Sequence, residues 1–161
     1  MKRGQTGYGW MFASVVLAIL LALLPLPQTL APLRPYWLAL VVAYWVLENP
    51  DRAGLGFAFV AGLLADVAQG AILGEQALRM VILAFILDRF RTRLRFFPVW
   101  QQALVMCGLL INDRIVAAIV HLLAGTPQAD PMYWLSPLTG ALMWGPVFAV
   151  LDALRHGRRR G

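Results

Sequence analysis

The chain has 161 residues, 60% of them apolar and only 14% charged, against about 25% charged in a typical soluble domain. That balance excludes disorder and leaves too few polar residues to cover a soluble fold of this size, so it points to an integral membrane protein. Six spans of about 20 residues would use about 120 positions and leave roughly 41 for loops and tails, which excludes an anchored soluble domain.

The predicted elements follow in chain order. Lys2 and Arg3 precede an apolar run from Trp10. No small-x-small cleavage site follows it, so the run reads as an uncleaved first span, about 10–26. Pro25, Pro27 and Pro32 then break the helix. Span 2, about 33–47, is short for a bilayer crossing. Either it tilts inside a bundle or Arg34 snorkels at its end. The polar cluster from Glu48 to Arg52 closes it. Span 3, about 53–69, is joined to span 4, about 75–88, by the tight link from Gly70 to Gly74. Arg89, Arg91, Arg93 and Arg95 alternate with Phe, Thr and Leu in a basic loop. Span 5, about 96–124, is the longest. The loop 125–131 has no basic residue, and span 6, about 132–154, leads to the tail Arg158-Arg159-Arg160. The expectation is a single all-α transmembrane domain of six helices.

The basic residues predict the orientation. With the N-terminus inside, 11 of the 14 Lys and Arg fall in cytoplasmic segments. The outer segments hold Arg34 alone, and Arg79 and Arg114 fall within spans. This asymmetry is the positive-inside pattern, and it puts both termini in the cytoplasm. The net charge of +6 and the pI near 10.4 therefore mark topology rather than nucleic-acid binding. The arginine loop has two readings: a topology determinant, or a site that grips anionic lipid headgroups or an acidic partner.

The catalytic inventory is poor. His121, His156, Ser14 and Ser136 are the only histidines and serines, and no nucleophile elbow, zinc motif, phosphate loop or Cys/His metal cluster is present. His121 reads as an interfacial or packed residue. Cys107 is alone in an apolar run and reads as a small buried hydrophobe.

A glycine stripe stands out. Gly54, Ala58, Gly62, Asp66 and Gly70 lie four apart, and small residues on one face let helices approach closely. A carboxylate within a span needs a partner. Asp66 and Arg79 lie at matched depth in adjacent antiparallel spans, so a pair between them is expected. Asp113 and Arg114 point about 100° apart on one helix and are poor partners for each other. Each is expected to face a neighbouring helix, either as a buried contact that fixes the bundle or as a contact to a ligand or partner.

Several pieces together resemble the MreD family of bacterial rod shape-determining proteins. They are Arg34-Pro35-x-Trp37, Pro50-x-Arg52, Gly62-x-x-x-Asp66-x-x-x-Gly70-x-x-Leu73-Gly74 and Trp100-Gln101-Gln102-Ala103-Leu104. The resemblance runs over nearly the whole chain. It implies a compact six-helix bundle similar to the substrate-binding subunits of energy-coupling-factor transporters. It also implies a non-enzymatic, cofactor-free inner-membrane subunit of the machinery that builds side-wall peptidoglycan. The implied partners are MreC, MreB, RodA and its penicillin-binding transpeptidase, together with membrane lipid. Gly62, Asp66, Gly70, Gly74, Arg79, Asp113 and Arg114 are then candidates for packing or partner contact. A transporter-type subunit that binds a small molecule or lipid is the alternative. Its discriminator is a cavity lined by several polar groups.

Overall fold

The computed structural model describes residues 5–126 and 130–157. Lys2, Arg3, Arg158 to Arg160 and positions 127–129 of the loop, on which the topology reading draws, lie outside the described residues. Among the described residues there are six α-helices and no strand: α1 (Gln5–Leu23), α2 (Trp37–Glu48), α3 (Leu55–Gln69), α4 (Glu75–Leu94), α5 (Val99–Leu123) and α6 (Ser136–Gly157).

Proline sets the first boundaries. Pro25 disfavours helical backbone at Leu24, and α1 stops at Leu23. Its last carbonyls then lack partners within the helix. The Arg34 guanidinium donates to the carbonyls of Ala22 and Leu24. The span expected from residue 33 starts as a 3-10 turn at Ala31–Leu33, and α2 begins only at Trp37, past Pro35.

Helix α2 has 12 residues, about 18 Å at 1.5 Å per residue. Every residue from Leu38 to Leu47 is buried. It is apolar all round because it packs against α1, α3, α4 and α6 at once. It is short because it is the enclosed centre of the bundle.

Two further expectations are corrected in α4 and α5. Span 4 does not end at residue 88: α4 continues to Leu94, so Arg89, Arg91 and Arg93 lie on helix rather than in a loop. Arginine is a good helix former, and cations suit a helix C-terminus. Cys107 is half-buried, not buried. At the far end a 3-10 turn, Pro131–Leu135, precedes α6. Two segments, Val99–Leu123 and Pro131–Gly157, are long and apolar enough to cross a membrane.

The outside of the bundle is apolar. Phe12, Leu20, Phe59, Phe85, Leu104, Ile119 and Leu142 are all exposed, while Asp66, Glu75, Arg79 and Asp113 are buried. Water would favour the reverse distribution.

The glycine stripe resolves into separate jobs. A Cβ on Gly62 would lie 2.5 Å from Ala77 Cα and 2.5 Å from the Gln76 carbonyl oxygen, so only glycine lets α3 meet α4 here. Nothing lies within 4 Å of a Cβ at Gly54 or Gly70. Gly70 is needed instead for its left-handed φ of 61°, which ends α3. A second close approach was not read from the sequence: a Cβ on Gly140 of α6 would meet Leu110 Cδ1 of α5 at 2.4 Å.

These contacts order three substitutions. Gly62→Ala should destabilise the protein by about 1–3 kcal/mol, because backbone on α4 blocks the added methyl. Gly70→Ala should cost about 1 kcal/mol through φ alone. Val67→Leu, at a position 70% exposed, should be neutral within about 0.5 kcal/mol. Thermal unfolding in one detergent measures all three, and equal values would remove the close-approach argument.

Candidate functional site: a polar junction at the start of α4

The link between α3 and α4 carries the densest polar cluster. Gly74, the residue before α4, has φ 95° and no side chain with which to cap the helix. The free N–H groups of the first turn are served by Asp66 from α3. Its Oδ2 accepts from Gly74 N at 2.9 Å and from Ala77 N at 3.4 Å. Its Oδ1 accepts from Gln76 N at 2.9 Å. A carboxylate at a helix N-terminus also complements the helix dipole. The Asp66 backbone carbonyl, meanwhile, accepts from Ala71 N at 3.1 Å and closes the turn after α3.

The expected Asp66–Arg79 pair is therefore corrected. Asp66 sits beside unsatisfied backbone donors, and these occupy its oxygens. Arg79 turns to α5 instead. Its Nε and Nη2 donate to the two oxygens of Asp113 at 2.9 and 2.5 Å. Its Nη1 donates to Glu75 Oε1 at 3.2 Å, one helical turn back. The Tyr36 ring lies 4.6 Å from the guanidinium carbon, and the Tyr36 hydroxyl donates to Gln76 Oε1 at 2.9 Å. Glu75 also reaches His121 of α5, Oε2 to Nε2, at 3.4 Å.

Asp113 and Arg114 face different elements, as their 100° offset requires. Arg114 points to the start of α6, where its Nη2 donates to Ser136 Oγ at 2.7 Å and its guanidinium lies 3.9 Å from the Tyr133 ring. The Ser136 hydroxyl in turn donates to the Arg34 carbonyl at 3.1 Å. Ser14 is likewise engaged, accepting from Trp45 Nε1 at 2.8 Å. Neither serine contacts a base. Among the described residues no group of three or more His, Cys, Asp or Glu is placed to hold a metal ion.

The opposite end of the bundle has a smaller set of ties. Gln102 Nε2 donates to the carbonyls of Leu94 and Phe97 at 3.1 and 3.2 Å, and its Oε1 accepts from Trp144 Nε1 at 3.3 Å. Arg155 Nη1 donates to Glu48 Oε2 at 2.6 Å. Arg89, Arg93 and Arg95 are exposed on the same end, and Arg91 is half-buried.

Of the residues singled out from sequence, Gly62, Asp66, Gly70, Gly74, Arg79 and Asp113 meet around one junction, and Arg114 braces the next helix. Glu75, Tyr36 and Gln76 belong to the same junction and were missed. Glu75 and Arg79 carried a readable signal, since opposite charges four apart share a helix face. Tyr36 and Gln76 carried none.

The arrangement defines a class: an all-helical bundle with an apolar exterior, whose buried charges are spent on one another and on backbone. The chain belongs to the MreD family, because the family model described as rod shape-determining protein MreD matches residues 3–154. It is 30% identical over 141 residues to the rod shape-determining protein MreD of Haemophilus influenzae, covering 88% of this chain and 87% of that protein. No solved structure matches.

The junction makes a test by paired substitution. Arg79→Gln or Asp113→Asn alone should cost about 3–5 kcal/mol, because each strands a buried charge. The double variant should lose clearly less than the sum of the two, and the cycle on Asp66 and Arg79 should give the smaller coupling. Unfolding midpoints of the purified variants provide the numbers. Strict additivity for Arg79 and Asp113 would contradict the pair.

Proposed function

We propose that this protein is a multi-pass inner-membrane protein with both termini in the cytoplasm, acting as a non-enzymatic subunit of the side-wall elongation complex. The observation that carries the membrane reading is the inverted distribution of side chains: large apolar residues outside, paired charges inside. The basic residues concentrated at one end support the orientation. Family membership supports the role in rod shape.

Within that complex the chain binds the transmembrane helix of MreC, with MreB, RodA and its penicillin-binding transpeptidase as further members. The polar and glycine positions hold the bundle in shape, since Gly62 and Asp66 are covered by α4. A partner helix therefore docks on the outward apolar faces, where Phe59, Val60 and Val67 of α3 or Leu138 and Leu142 of α6 are exposed. The buried cluster gives no support to the transporter-type reading, because Glu75, Arg79 and Asp113 satisfy one another.

Cells lacking the protein should become round or wide. MreC should co-purify with it from solubilised membranes, and less so with Asp113→Ala, which loosens the bundle. His121→Ala and Ser136→Ala should restore rod shape at normal abundance, because neither residue performs chemistry. Round cells with either variant at wild-type levels would overturn the non-enzymatic reading. A cytoplasm-only reporter after Gly161 should be active, and a silent, stably expressed fusion would overturn the orientation.

A further inference from the structure

We propose that the arginine-bearing end of α4, with the turn into α5, is a binding site for anionic phospholipid headgroups. This rests on the membrane reading above and adds a ligand class to it. Arg89 and Arg93 lie four apart, so they stack on one helix face. Both are exposed, Phe85 lies one turn earlier on that face, and Phe96 follows in the exposed turn after α4. Among the described residues, none of the side chains of Arg89, Arg91, Arg93 and Arg95 makes a hydrogen bond or ion pair. Unpaired guanidiniums keep their donors for phosphate oxygens.

The frame that displays them is held rigid. Gln102 clamps the turn by donating to Leu94 and Phe97 carbonyls, and Trp144 holds Gln102 in place. The same turn leaves Phe96 89% exposed and Trp100 64% exposed. A topology signal needs charge only. It needs neither a fixed helical display nor bare aromatic rings beside the charges. An acidic protein surface would match the arginines alone. A bilayer surface matches both, with anionic headgroups at one level and hydrocarbon just beneath.

The test uses the full chain reconstituted in nanodiscs of phosphatidylcholine mixed with phosphatidylglycerol. The readout is the ratio of the two lipids retained on the protein after detergent extraction, by mass spectrometry. The wild type should enrich phosphatidylglycerol. R89Q/R93Q should cut that enrichment by about tenfold or more, since each Arg contributes several-fold to binding an anionic surface. Glutamine keeps the helix propensity of the segment, and the unfolding midpoint should stay unchanged. Raising the salt should mimic the double variant. Equal enrichment in wild type and variant overturns the proposal. So does loss of an acidic protein partner with lipid ratios unchanged, which would assign the surface to that partner. Stable insertion with no headgroup preference sinks this proposal and leaves the membrane reading standing. Failure to insert into the lipid at all sinks both.

Discussion

The first turn of α4 begins with backbone N–H groups that no residue within the helix accepts, and the Asp66 carboxylate meets that deficit while side-chain contacts from two other parts of the chain tie down the same turn. Helix α3 supplies the Asp66 carboxylate, which takes hydrogen bonds from Gly74, Gln76 and Ala77. Tyr36, the residue before α2, holds the Gln76 side chain through its hydroxyl. Helix α5 supplies Asp113, gripped bidentately by Arg79. The buried turn could not persist without these partners, since each unsatisfied polar group in an apolar surrounding costs several kcal/mol.

The junction needs close approach as well as charge. Gly62 brings the α3 backbone against α4 one turn before Asp66, so the carboxylate arrives at the height of the free amides. Gly70 and Gly74 turn the chain in between through positive φ. The motif Gly62-x-x-x-Asp66-x-x-x-Gly70-x-x-Leu73-Gly74 is thus one physical device: a contact, a cap and two turns. Gln102 does related work at the other end, where its side chain bridges the α4–α5 turn and α6. With both ends tied, α2 is enclosed along its length and the large exposed apolar side chains of the other helices are left on the outside of the bundle.

Much of the architecture was legible because apolar runs and prolines act locally. The six apolar segments are where the helices are. The helix stop near Pro25 follows from backbone sterics that need no tertiary information. Charge alone marks the arginine run as a boundary, yet α4 runs through it to Leu94 because arginine suits the last turns of a helix. Asp66 stands out in the sequence as a carboxylate in need of a partner. Its partner was misassigned because equal depth says nothing about which way a side chain turns, nor that backbone amides compete for it.

The sequence by itself determined that this chain is helical and strongly apolar, and that the few charges within its apolar runs must be satisfied, since composition and patterning alone dictate these. It also carried the spaced glycine and aspartate motif on which the resemblance to the family was read. Only the tertiary structure decided which charges meet. Helix rotation brought Arg79 to Asp113 rather than to Asp66, put Arg114 against Ser136, and separated Gly62, which is needed for space, from Gly70, which is needed for φ. Rotation about a helix axis is set by packing against all neighbours at once, and no local pattern in a single chain encodes it.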